Sequence, residues 1–171
     1  MSDTFVDDLY KADGALHAGD VRYVLVRADG LMGCFKSDLD ATSLAMYQQV
    51  EDSFLRFGGK STQQYAETSG ENPEALLSKI EETAPQLGWG NWTLALDLNR
   101  RKLTLRVENS PFSAGYGQAD FAVCAPIAGM LGGVAQKIFN QPVTCREHRC
   151  SATGGNFCEF EAVIESDNDT A

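Results

Sequence analysis

Basic charge and histidine are what this chain has least of: 14 Lys and Arg stand against 24 Asp and Glu, and there are only two histidines. The formal net charge of −10 repels phosphate backbones and anionic lipid surfaces, which argues against nucleic acid as a direct partner. The histidines, His17 and His148, lie in no nucleophile-activating context, so a non-enzymatic role is expected. No apolar run reaches the roughly 18 residues of a membrane span. The acidic start, Met1-Ser-Asp-Thr-Phe-Val-Asp-Asp, lacks the basic flank and apolar stretch of a signal peptide. A cytoplasmic address is therefore the expectation, and there thiols stay reduced. No phosphate cradle is present either, because Gly129-x-x-Gly132-Gly133 falls inside a predicted helix and reads as close packing against a sheet. Without repeats or a low-complexity linker, the expectation is a single domain over residues 1–164, followed by an acidic, disordered tail over 165–171.

What is present is an apolar fraction of 43%, enough for a proper core, patterned in two periods. Phe5, Leu9 and Ala12 predict a helix over Asp3–Ala15, broken at Gly19-Asp20. Val21–Val26 reads as a short buried strand, and Ala28–Phe35 as a short helix or turn. Leu44, Tyr47, Val50, Phe54 and Leu55 recur at helical spacing between Ala41 and Thr68, interrupted at Gly58-Gly59. Asn72-Pro73-Glu74 is a helix start leading to Leu87, with Gly88 as its stop. The period then changes to two: Trp92, Leu94, Leu96 and Leu98 alternate on one strand and Leu103, Leu105 and Val107 on the next, joined through Asn99–Lys102. Asn109–Gly117 reads as a loop, Phe121–Phe139 as a helix, and Pro142–Arg149 with Asn156–Ile164 as a last hairpin. The fold class is α+β, an antiparallel sheet with helices packed on it.

Five cysteines without a secretory signal argue for metal binding over disulfides. Cys124 is placed at the opening of the late helix, Glu147 and Cys150 on one strand of the last hairpin, and Cys158 on its partner. Three thiolates and a carboxylate fill the tetrahedral shell of a closed zinc site. The alternative is that these thiols are buried apolar fillers. Cys145 shares a strand face with Glu147 and is an alternative ligand; with Cys124, Cys150 and Cys158 it would make a four-thiol set suited to an iron–sulfur cluster. Core packing is the preferred reading of Cys145, and Cys34, among Leu31, Met32 and Phe35, also reads as core. His148 points away from Glu147, and His17 reads as a surface or capping side chain near a helix end. Trp89, Trp92, Phe112, Tyr116 and Phe121 are the candidate lining of an apolar pocket, each of them also a plausible core residue.

The run Asn109-Ser-Pro111 … Cys124 … Gly129 … Pro142 … Glu147-x-x-Cys150-x-x-x-Gly154-x-x-x-Cys158-x-Phe160 resembles the 4-vinyl reductase domain family. The resemblance covers the C-terminal third in motif detail and the whole chain in length and order of elements. It implies a fold similar to TRAPP subunits and haem nitric-oxide sensors, an apolar ligand pocket, a homodimer, and a zinc on Cys124, Glu147, Cys150 and Cys158. The ligand class it suggests is a flat hydrophobic molecule such as a tetrapyrrole. The implied role is carrier, sensor or assembly factor, with photosystem-assembly or pigment-synthesis proteins as partners. An enzyme or auxiliary subunit in chlorophyll vinyl reduction is the alternative, and an iron–sulfur protein or dimeric scaffold the second.

Overall fold

A computed structural model describes residues 10–18, 20–36, 45–58 and 72–165. The first described segments are strands: β1 (Tyr10–Ala12), β2 (Ala15–Ala18) and β3 (Val21–Tyr23) form an antiparallel sheet in that order. This overturns the helix expected over Asp3–Ala15, of which Phe5 and Leu9 lie outside the described residues. The reason is Asp13-Gly14, where positive φ at both residues (50° and 75°) makes the two-residue hairpin turn between the paired Ala12 and Ala15. His17 accordingly lies on a strand, half-buried. The expected buried strand over 21–26 is also corrected, since regular pairing stops at Tyr23 and Val24, Leu25 and Val26 are exposed.

Helix α1 (Ala28–Gly33) follows, then helix α2 over residues 45–58. The remainder of the helical stretch expected between Ala41 and Thr68, including Leu44 and Gly59, lies outside the described residues, as does the acidic tail from 166 onward. Helix α3 (Pro73–Gln86) begins as its sequence dictates: Asn72 Oδ1 accepts the Glu74 N–H at 3.0 Å, and Pro73 occupies the first turn. Its buried face carries Leu76, Leu77, Ile80, Thr83 and Ala84.

The main sheet has four antiparallel strands, β4 (Asn91–Asp97), β5 (Lys102–Glu108), β6 (Val143–Arg149) and β7 (Cys158–Ile164), in the order β4-β5-β7-β6. Each hairpin is local in sequence; the β5–β7 seam joins them. Along it Leu103 pairs with Ala162, Leu105 with Phe160 and Val107 with Cys158, so the inward residues of both strands fall on one face. All six are essentially excluded from solvent. β4 is an edge strand: Trp92 is buried, Leu94 and Leu96 are half-buried, and Leu98 leaves the sheet for the turn and is exposed.

Two further helices complete the architecture, α4 (Pro111–Tyr116) and α5 (Ala125–Phe139). α4 occupies what the sequence suggests is a loop. Ser110 caps it, its side chain accepting the Ser113 N–H, and Pro111 sets the first turn. α5 starts at Ala125, four residues later than expected, because Cys124 stands at its N-cap position. It lays Ile127, Leu131, Val134 and Ala135 on the sheet. Gly129 packs on a helix, not on the sheet as expected: a Cβ there would collide with the Glu51 carbonyl and Phe54 of α2. Gly132 faces Leu55 of α2 and Cys145.

In an ordinary helix, Gly→Ala stabilises by about 1 kcal/mol. Gly129→Ala should reverse that sign and destabilise by about 1–3 kcal/mol, because the new methyl meets backbone. Gly132→Ala meets only the movable Leu55 side chain at 3.1 Å and should cost less. Urea midpoints of the two variants at unchanged m value check the ordering.

Candidate metal centre

Three elements deliver the four candidate ligands to one point. Cys124 sits at the start of α5, Glu147 and Cys150 lie at and just beyond the end of β6, and Cys158 opens β7. A register shift between Glu147 and Arg149 breaks the alternation there, so the strand turns Cys150 inward behind Glu147. A short 3-10 turn, Ser151–Thr153, then reverses the chain. Gly154, with φ 97°, adopts the left-handed conformation that ends the turn.

The donor atoms of Cys124, Glu147, Cys150 and Cys158 all lie within 4.8 Å of one another. The Cys124 sulfur is 3.9 Å from that of Cys150 and 3.7 Å from that of Cys158. A tetrahedron with metal–sulfur bonds of about 2.3 Å has edges of about 3.8 Å, so the sulfurs already stand at ligand spacing. The three cysteines are 0–1% exposed. One Glu147 oxygen, Oε2, accepts the Cys124 N–H at 2.9 Å, while the other, Oε1, is buried without a hydrogen-bond partner among the described residues. A buried, unpaired carboxylate oxygen beside three thiols fits the missing partner being a cation.

The charges at the site say the same. Contact with the Cys150 and Cys158 sulfurs, then burial, push the Cys124 thiol far up. Cys158 is held well below the thiol range because the Cys124 and Cys150 thiols and the Ser151 N–H donate to it. Desolvation raises the Glu147 carboxyl to about 7. Protein alone therefore holds a single thiolate here comfortably, and ionising the other acids calls for compensating positive charge.

Cys145 is not in this group. It is buried two residues earlier on β6, facing Gly132 of α5, and desolvation raises its thiol to about 12. Cys34, expected in the core, is exposed: the helical turn directs Met32 and Phe35 inward and leaves Cys34 outside. His148 is exposed and faces Glu161 at 4.0 Å, away from the ligands.

Serines 110, 113 and 151 escaped the sequence reading. Ser110 Oγ lies 3.3 Å from the Cys124 sulfur, the Ser151 N–H and Oγ are each 3.3 Å from the Cys158 sulfur, and the Ser151 hydroxyl donates to Ser113 Oγ at 2.6 Å. The one available signal was Ser110-Pro111, a helix start whose cap also touches a ligand.

The five candidate pocket aromatics form two ring clusters. Trp89 meets Trp92 at 6.3 Å and Phe112 at 5.1 Å, while Tyr116 meets Phe121 at 5.7 Å. Helix α2 supplies partners the sequence reading left out: Phe54 on Trp89 at 5.5 Å, and Tyr47 on Phe121 at 5.7 Å. The Tyr47 hydroxyl is buried and makes no hydrogen bond to the described residues. Helical spacing marked Tyr47 as core but could not show that its hydroxyl would lack a partner.

Against known proteins, residues 103–164 match the family model of the vinyl-4-reductase domain. No curated protein matches the chain. Among solved structures, the phenol-responsive sensory domain of the transcription activator PoxR, crystallised with phenol, aligns over 92% of this chain and 85% of its own at 18% identity and a TM-score of 0.69. A trafficking protein particle complex subunit 3 from Naegleria fowleri, covalently bound to palmitic acid, aligns over 81% and 95% at 13% identity and a TM-score of 0.56. A vinyl-4-reductase family protein from Methanocaldococcus jannaschii aligns over 81% and 91% at 19% identity and a TM-score of 0.50. At these identities the likenesses establish the fold, α+β and shared with a TRAPP subunit. Residues 103–164 carry the vinyl-4-reductase domain, and the resemblance to that family read from Asn109 to Phe160 holds.

Proposed function

We propose that this chain is a small-molecule-binding domain of the sensor or carrier kind, stapled by a structural zinc on Cys124, Glu147, Cys150 and Cys158. The observation that carries the reading is the convergence of four donors within 4.8 Å, with one Glu147 oxygen buried and unpaired. Three sulfurs and a carboxylate complete a zinc shell and leave no open position for water, so the ion's contribution is to cross-link α5 to the β6–β7 hairpin. Cys145 lies outside the donor group, which favours zinc over an iron–sulfur cluster.

The ligand reading rests on the aromatic clusters beside that staple and on a fold shared with a domain that responds to phenol. A planar hydrophobic molecule inserted among Trp89, Phe112, Tyr116 and Phe121 would exchange ring–ring contacts for ligand–ring contacts. Tyr47 offers such a molecule an unpaired hydroxyl. A monocyclic phenol sits at the small end of this class and a tetrapyrrole at the large end.

Purified protein should contain about one zinc per chain by elemental analysis and show no visible absorbance from a cluster. Cys150→Ser should cost on the order of 3 kcal/mol of stability in zinc-loaded protein; an unchanged urea midpoint would argue against a structural ion.

The pH response separates loaded from metal-free protein. Burial raises the Glu147 carboxyl from 4.5 to about 7, so in metal-free protein its contribution to stability is full below pH 4.5 and is lost as pH rises through 7. Melting temperatures of metal-free protein should therefore fall across that window, less so in Glu147→Gln, whereas zinc should remove the fall.

Phenol and protoporphyrin IX, titrated separately against the fluorescence of Trp89 and Trp92, test the ligand class. Saturable quenching by one of them, weakened about tenfold in Phe112→Ala, is the expected result. Quenching by neither would sink the aromatic-ligand reading.

A further inference from the structure

A buried ion needs a way in. The Cys124, Cys150 and Cys158 sulfurs are backed by Val107, Val123, Ile127 and Phe160, each excluded from solvent. On another side lies an open cleft of about 600 Å³ between α4 and the turn at Ser151–Thr153. Its floor is Ser110, Ser113 and Ser151, the serines that touch the Cys124 and Cys158 sulfurs directly or through one another.

The lining chemistry suits passage better than retention. Asn109, Gln118 and Asn156 add three amides to the three hydroxyls, and none of the lining residues is charged. Such a surface presents no fixed cation to repel an incoming metal ion and no carboxylate to trap it. Neutral oxygens hold zinc weakly beside thiolates, so the ion gains by moving on to the sulfurs. Gly117 and Gly154 stand at the mouth with φ of 84° and 97°, and no other atom lies within 4 Å of where a Cβ would project. One bond closes the floor, Ser151 Oγ donating to Ser113 Oγ at 2.6 Å, while the Ser113 hydroxyl donates to the Ser110 carbonyl at 3.1 Å.

We propose that this cleft is the loading port of the metal centre, and that the Ser113–Ser151 hydrogen bond is its latch. The inference rests on the zinc reading above and goes beyond it in assigning a route, a gate and the residues of each. Opening the latch exposes the Cys158 sulfur to the cleft without moving α5 off the sheet, so metal exchange does not require unfolding of the core.

The test is the rate at which zinc-loaded full-length protein surrenders its ion to excess 4-(2-pyridylazo)resorcinol, read by the colour of the complex. Ser113→Ala removes the latch and should speed release about fivefold, the factor expected from one lost hydrogen bond. Ala114→Trp, at an exposed position on the cleft wall, should plug the port and slow release about tenfold at unchanged zinc content. Gln118→Trp plugs the same cleft independently, should Ala114→Trp fail to fold. Release at wild-type rates from Ser113→Ala and from a folded plug variant overturns the port while the metal centre stands. Protein that takes up no zinc at all overturns the metal reading, and the port with it.

Discussion

Four acidic side chains share one buried point, and much of the C-terminal half is arranged to make that possible. Three thiols and a carboxyl cannot all ionise in a dry interior without a compensating cation, which is why the Cys124 thiol and Glu147 are pushed up while Cys158 alone is pulled down. The backbone answers with fixed donors. The first amide of the α5 start is given to Glu147 Oε2, and the amide of Ser151 to the Cys158 sulfur. The register shift after Glu147 and the left-handed Gly154 then set the strand end and the turn so that Cys150 and Cys158 face the same place.

Helix α4 connects this point to the rest of the fold. It is only six residues long, yet its sides meet different partners: Ser110 and Ser113 reach the sulfurs and the cleft, Phe112 packs on Trp89, and Tyr116 on Phe121. Gly115 lets it press against the backbone of α1 at Ala28. A displacement of α4 would thus be felt at the metal centre and in the aromatic layer together. Helix α2 makes a second connection, because it touches Gly129 of α5 with its backbone while Phe54 and Tyr47 join the ring clusters.

Where sequence reading worked, the pattern was local or long. Period-two alternation marked β5 and β7, and Asn72-Pro73 marked the start of α3, because both signals follow from the chain's own geometry. Where it went astray, a short stretch carried two compatible patterns. Phe5, Leu9 and Ala12 have helical spacing, but Asp13-Gly14 is a hairpin turn that overrides it from Tyr10 onward. Ser110-Pro111 opens a helix inside a glycine- and serine-rich stretch that reads as a loop. Cys34 shows a further limit, since one position along a six-residue helix decides between core and solvent.

By itself the sequence determined the donor chemistry and the main sheet's hairpins: a cysteine spacing bridged by Gly154-Gly155 and an alternating strand pattern are properties of neighbouring residues. Only the tertiary structure decided which of the five cysteines meet. Cys124 comes to Cys150 and Cys158 across more than twenty residues because β5 pairs with β7 and α5 packs on the seam, while Cys145, two residues from a donor, is left facing Gly132. The serine contacts, the orphaned Glu147 oxygen and the unpaired Tyr47 hydroxyl belong to the same category. They depend on distances between elements remote in sequence, which no local periodicity encodes.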